Sequence, residues 1–405
     1  MPRLGYWAVC LLVFAIPWEN VLLVPGVGTI TKVFGALALG VGTLVVLMRG
    51  RFRTPSLFLW LALFFMLYGC ASLFWTIDRV LTLERIWKNV QLFIMLWLIW
   101  EATDTVQRRG GLMLVYVLGA WVSVLQTLER FHLGRGRVGG TRFAASVNFN
   151  PNDMGFLLCL GLPMAWHLGV HHPKVWVRWI CRAYIPAGLF TVFITGSRSG
   201  LIVAMVALLL VPWTLPRLPV RLKAVTMVIM LAAAVVAVLY VPERSWERLS
   251  TTGQQIESGN LNDRVWIWTA GFKVFPEHPI IGVGGGAFST AVGPYLGEDR
   301  AAHNTYLSIL IDQGLVGELF FLVLLFVSWL HARNAPIQER KLLIVLWMTL
   351  GIGLLPRAWE DKKATWLLFG MLNATAAGGV SALAPSSQRA AREITVRRPA
   401  VRGAA

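Results

Sequence analysis

Apolar residues in this chain gather into long runs, separated by short connections rich in basic residues, Gly or Pro. This is the pattern of helices that cross a bilayer, not of soluble elements with one wet face. Runs fall at 6–16, 29–48, 57–74, 87–100, 112–128 and 154–168, then at 180–195, 201–215, 225–241, 306–330, 342–355 and 366–380. The pattern predicts an all-α, polytopic integral membrane protein with about twelve transmembrane helices.

Two connections are too long to be simple turns. One runs over 129–153 and the other over 242–304; loops beyond about 12–15 residues are usually functional or disordered. The second holds Val265-Trp266-Ile267-Trp268 and Phe272-Lys273-Val274-Phe275. Asn262 or Asp263 can cap a helix there, and Pro276 would end it. A tryptophan-rich helix of this kind suits the headgroup layer, so a folded lid is expected. The chain then divides into transmembrane helices 1–9 (1–241), a large loop domain with short helices outside the membrane (242–304) and transmembrane helices 10–12 (305–383). A basic tail (384–405), rich in Ala, Ser and Arg, reads as disordered against anionic headgroups.

Composition agrees. Of 405 residues 56% are hydrophobic and only 14% charged, where a soluble domain carries about 25% charged residues; mean hydropathy is +0.63. Cys10, Cys70, Cys159 and Cys181 lie in or beside apolar runs and read as small hydrophobes, not as a disulfide or zinc framework. The first run lacks a small-residue cleavage site and reads as a first span or signal anchor. With the N-terminus in the cytoplasm, every inside connection is basic: Arg49 to Arg53, Arg108 and Arg109, Lys174 and Arg178, Arg217 to Lys223, and Arg333 to Lys341. The tail arginines follow on that side, so both termini are expected in the cytoplasm. His167, His171, His172 and His331 are expected at helix ends on the same side.

The net charge is +17, but its distribution says more. The outer face should be poor in Lys and Arg, yet it keeps Arg130, Arg135, Arg137, Arg142, Arg198, Arg244, Arg248, Arg264 and Arg300. Arg198 sits in the very short turn Gly196-Ser197-Arg198-Ser199-Gly200 between two spans, where a guanidinium is costly and points to a functional site. Guanidiniums match phosphate oxygens, and a polyprenyl diphosphate has its phosphates at that depth. Pairing with headgroups or nearby carboxylates, or a looser hold on an acceptor, suffices for Arg130, Arg135 and Arg137; Arg198 and Arg264 are read as functional. His303, in Ala301-Ala302-His303-Asn304-Thr305-Tyr306, stands where the large loop re-enters the membrane. Its imidazole can take a proton near neutral pH, although an interfacial histidine bonded to a backbone carbonyl has the same pattern. Gly282-Val283-Gly284-Gly285-Gly286 lacks the Lys-Ser/Thr of a nucleotide loop and reads as a flexible turn allowing close approach to the membrane. No clustered carboxylates call for a divalent cation, so no metal and no cofactor are expected, nor is a nucleic-acid partner.

Together these segments resemble the O-antigen ligase family, whose superfamily includes O-antigen polymerases and protein O-oligosaccharyltransferases. The resemblance runs through Gly140-Thr141-Arg142-Phe143 with Asn150-Pro151-Asn152, then Thr195-Gly196-Ser197-Arg198-Ser199-Gly200, then Asp263-Arg264-Val265-Trp266 on to Gly282–Phe288. It ends at His303-Asn304-Thr305-Tyr306-Leu307 with Gly314-Leu315-Val316-Gly317. It implies a glycosyltransferase of the bacterial inner membrane, working on the periplasmic side. The donor would be undecaprenyl-diphosphate-linked O-antigen and the acceptor the lipid A core oligosaccharide. The catalytic set carried over is His303, Arg198 and Arg264, with Arg142, Asn152, Arg300 and Asn304 as substrate-binding residues. His303 would activate the acceptor hydroxyl while the arginines hold the diphosphate, and one displacement would invert the anomeric carbon. Polymerase and protein O-oligosaccharyltransferase share the donor grip and differ in acceptor. A transporter or lipid flippase is the alternative of another class; it predicts mid-span ionisable residues and internal repeats, whereas charges here gather at the outer face.

Overall fold

The computed structural model describes residues 3–50, 52–135, 137–138, 142–241, 243–250 and 263–374. The expected tail at 384–405, the end of the last expected span and the side chains of Arg137, Arg244 and Arg248 lie outside the described residues.

The helices in chain order are α1 (Arg3–Ala15), α2 (Ile30–Arg49), α3 (Leu57–Ala71), α4 (Arg79–Ala102), α5 (Val106–His132) and α6 (Pro151–His171). They continue as α7 (Val175–Ile194), α8 (Arg198–Leu208), α9 (Leu210–Thr214), α10 (Val220–Tyr240) and α11 (Glu243–Ser250). The last are α12 (Arg264–Val274), α13 (Phe288–Leu296), α14 (Thr305–Arg333), α15 (Ile337–Leu354) and α16 (Lys363–Asn373). The only strands among the described residues form two small antiparallel hairpins, Leu23–Val24 with Gly28–Thr29 and Arg137–Val138 with Arg142–Phe143. The fold is all-α. Among the described residues, seven helical stretches are long and apolar enough to cross a membrane: α2, α3 with its 3-10 extension, α5, α6, α7, the α8–α9 stretch to Arg217, and α14. The other expected runs fall on α1, α4, α10, α15 and α16. This is a multi-pass membrane protein.

Several helices begin before their apolar run. α4 starts at Arg79 on an Asp78 cap, whose carboxylate accepts from the Leu81 amide at 3.1 Å, and α5 starts at Val106 on a Thr105 cap. Backbone bonding continues into the interface, where side chains are polar, so hydropathy alone cuts helices short. The run at 201–215 is divided at Leu209, where the Leu209 amide bonds Val206. Pro212 has no N–H for the carbonyl four residues back, which tightens the helix locally.

At the bundle's centre stands α6, with 83% of its apolar window buried, against 28% for α2 at the perimeter. At one end of the bundle Arg109 of α5 pairs with Glu339 of α15 at 2.9 Å, and Arg53 lies over the Trp100 ring near the close of α4. The opposite end carries the long loop. There α12 and α13 share a small core through Ile267, Ala270, Val274, Phe288 and Val292, seated on Leu307 and Ile311 of α14. The expected helix begins after Asp263, which takes the cap position without a side-chain capping bond, and it closes in the 3-10 turn containing Pro276; Asn262 lies outside the described residues.

The glycine turn differs from its expected use. Its close approach is to α14 rather than to a membrane. The Val283 and Gly284 amides bond the Ile311 and Asp312 carbonyls, and the Gly286 and Phe288 amides bond the Asp312 carboxylate at 2.8 Å each. The Gly285 amide bonds Ser72 at 2.9 Å. Donors that could cradle a phosphate are therefore spent inside the protein. Gly314 (φ 66°) kinks α14 where the Pro279 and Ile280 carbonyls take the Leu315 and Val316 amides.

Candidate active site

The starts of four helices meet at the loop-bearing end. Asn150 caps α6, Ser197 caps α8 through the Gly200 amide at 3.0 Å, and Asn304 caps α14 through the Leu307 amide at 3.1 Å. The fourth, α12, begins at Arg264 directly after Asp263. Helix starts present unpaired amides and the positive end of the dipole, which favour an anion between them.

Arg357, on the connection between α15 and α16, joins these elements. Its Nη1 donates to Asp153 Oδ1 of α6 at 2.9 Å and its Nη2 to Ser199 Oγ of α8 at 3.2 Å. Its backbone carbonyl accepts from Thr305 Oγ1 of α14 at 2.6 Å. The guanidinium lies 5.5 Å from the Phe156 ring and 5.7 Å from Trp359. Trp359 Nε1 also donates to Asp153, at 3.1 Å. Burial pulls the Arg357 pKa down to about 10 while Asp153 resists the drop, so the group stays charged at neutral pH. Its Nε is buried without a partner among the described residues, a donor left over for a bound oxygen.

His303 opens onto this cluster. Burial lowers its imidazole pKa first; Arg264, Arg357 and Arg300 lower it further, and Asp153 opposes them. The ring is therefore neutral at pH 7 and able to accept a proton. Its backbone sits in the left-handed region at φ 48°, and the other non-glycine residue there among those described is Asp263, at φ 64°, just before Arg264. Such geometry costs about 1–3 kcal/mol and persists where the surroundings enforce it. Part of that enforcement is Trp268 Nε1, which donates to the Ala302 carbonyl at 2.9 Å and ties α12 to the His303 turn.

The other expected site residues lie at this same end with differing contacts. Arg142 donates from Nε to the Thr195 carbonyl at 2.8 Å and from Nη2 to Asn152 Oδ1 at 2.6 Å, clamping its hairpin to α6 and to the turn that carries Arg198. Arg198 is half-buried at the first position of α8, next to the serine held by Arg357. Arg264 is partly buried, which lowers its pKa. Arg300 is an exposed rim residue whose Nε donates to Glu298 at 2.8 Å. The Asn304 side-chain oxygen serves the α14 cap. Arg198 and His303 thus belong to one end, linked through Ser199, Arg357 and Thr305. Sequence reasoning missed Arg357 and Asp153. The available signal was another arginine, Arg357, at the far end of the eleventh apolar run, on the face where arginine is disfavoured. Among the described residues no cluster of three or more His, Cys, Asp or Glu could hold a metal ion.

Residues 183–322 match the family model described as O-antigen ligase. The chain carries an O-antigen ligase family domain. The matched stretch includes Arg198, Arg264, Arg300, His303 and Asn304, while Arg142, Asn152, Asp153 and Arg357 approach this ligase-family domain from outside it. No curated protein matches the chain. The family match supports an enzyme of the ligase and polymerase superfamily, and the apolar helices agree with a multi-pass membrane protein.

Proposed function

We propose that the protein transfers O-antigen glycan from undecaprenyl diphosphate to a hydroxyl of the lipid A core oligosaccharide. The site faces the periplasm of a bacterial inner membrane, with both termini in the cytoplasm. The observation that carries the reading is the neutral imidazole of His303 among Arg264, Arg300 and Arg357, with the Arg198 turn bonded to that last arginine. The orientation is supported by Arg49, Arg53, Arg108 and Arg109, which lie at the end away from His303.

In this mechanism His303 takes the proton of the acceptor hydroxyl, and the oxygen attacks the anomeric carbon as the bond from that carbon to the diphosphate oxygen breaks. The electron pair leaves with the diphosphate, and charge growing there meets Arg198, Arg264 and Arg357. Fixed donors aimed at developing charge are worth about 10²–10³-fold each. The proton on His303 then passes to solvent. A single displacement inverts the carbon, and cleavage of the lipid diphosphate supplies the driving force. Arg142, with Asn152, sets the floor of the diphosphate site, Arg300 its rim, and Asn304 fixes the His303 turn.

The test is a reconstitution of purified protein with lipid-linked glycan and lipid A core, without metal or ATP. Glycan should appear on lipid A core, and His303→Ala should lower the rate by about 10²–10⁴-fold. Glycan lengthening on the lipid carrier would assign a polymerase, and glycan on a polypeptide a protein O-oligosaccharyltransferase. Movement of donor across liposomes without transfer would favour a flippase.

A further inference from the structure

A cavity of about 360 Å³ opens between α1, α2 and α4, and none of the arginines of the candidate site lines it. Its walls are apolar, with Leu12 of α1, Leu39 of α2, and Leu92 and Met95 of α4. Room comes from Gly35 and Ala36 of α2. A Cβ added to Gly35 would first meet Leu12 Cδ1, at 3.9 Å, so no side chain fills the space. Because α2 stands at the perimeter, a lipid in the slot would need to pass only this one helix.

Its mouth is cationic. Lys32, Lys88 and Lys363 line it together with Asp361. Lys88 pairs with Asp361 at 3.5 Å and Lys363 with Glu19 at 2.7 Å. Lys362 adds its ammonium 3.6 Å from Asp361. Lys32 makes no ion pair among the described residues and is exposed. Four ammoniums against two carboxylates leave an excess of positive charge above an apolar slot. That combination matches a lipid with a negative headgroup.

We propose that this slot holds one acyl chain of an anionic glycerophospholipid, with its phosphate against Lys32 and Lys88. A bilayer phospholipid fits better than the glycan donor for two reasons. Lysines are compact point charges suited to a mobile headgroup, whereas the forked guanidiniums that grip a diphosphate are gathered at the α6, α8 and α12 starts. The slot is also on the rim of the bundle, where lipids exchange with the bilayer. The inference goes beyond the proposed transferase reaction and does not depend on it.

The test is native mass spectrometry of the full chain in detergent with dioleoylphosphatidylglycerol or dioleoylphosphatidylcholine. The anionic lipid should be retained at least about tenfold more strongly. Gly35→Leu, which fills the slot, and Lys32→Glu, which reverses the mouth charge, should each weaken its retention about tenfold. Thermal unfolding in the same detergent checks that the variants are folded. If Gly35→Leu is not, Lys32→Glu alone decides. Equal retention of both lipids, or unchanged retention in the folded variants, overturns the proposal. Displacement of phosphatidylglycerol by equimolar undecaprenyl phosphate would also overturn it, by giving the slot to a prenyl chain.

Discussion

His303 is the residue on which pH dependence turns. Its pKa is depressed below the ordinary value of about 6.5, so the base form persists as pH falls and the acid limb of kcat/KM should lie below that value. Arg264 lowers the pKa and Asp153 raises it. Arg264→Gln should therefore move the acid limb to higher pH, and Asp153→Asn should move it lower, as read from rate profiles in the reconstituted reaction. Shifts in the reverse directions would remove His303 as the titrating base. The arginines are tested by keeping charge and removing the fork: Arg198→Lys and Arg357→Lys should each slow turnover about 10-fold or more in folded protein. Full activity in either would discharge it from the site. Arg198, Arg264 and His303 were legible in the sequence because each is an ionisable group where apolar or neutral residues are expected. Asp153 was not. One carboxylate at a helix start is common, and its meaning comes from Arg357, more than 200 residues away in the chain, which only the folded bundle brings to it.

Among elements, the glycine turn and the α14 kink make one fitted joint. Gly282 (φ +72°) would place a Cβ 2.5 Å from the Asp312 carbonyl carbon, whereas Gly297 (φ +73°) has nothing within 4 Å. The two share a backbone conformation and differ in space. Gly297→Ala should therefore cost only the left-handed penalty of about 1–2 kcal/mol. Gly282→Ala should add overlap worth about 1–3 kcal/mol more and lower activity by displacing the start of α14. Thermal unfolding of both variants beside wild type checks this; equal losses would mean that the joint yields. Here sequence pattern reached its limit. Glycine spacing shows that backbone comes close to something, but it does not name the partner. Likewise the apolar runs located the helices while missing their polar first turns, such as the one from Arg79 to Thr82, since hydropathy registers hydrocarbon contact and not backbone bonding.

Across the whole molecule, the site's geometry rests on a buried ion network between segments distant in sequence. Arg85 of α4 donates to Glu360 at 2.9 Å and lies 3.8 Å from Asp312 of α14, with the Glu360 and Asp312 side chains only 4% and 3% exposed. Glu360 also accepts from Ser308 of α14 at 2.9 Å, and it follows Arg357 by three residues on the same connection. The network therefore holds the Arg357 segment against the helix that begins just after His303. Removing one partner strands the others as buried charge, at a cost of about 3–5 kcal/mol, whereas removing a pair together costs less because nothing is left uncompensated. Arg85→Met and Glu360→Gln should each destabilise strongly, and the double variant by less than their sum, with a coupling of about 1–3 kcal/mol. Unfolding midpoints of the four proteins measure the coupling, and transfer rates of those still folded show whether it reaches the site. Additive losses in stability, with transfer unaffected, would mean that Asp153, Ser199 and Thr305 suffice to position Arg357, and that α4 is scaffold rather than part of the machinery.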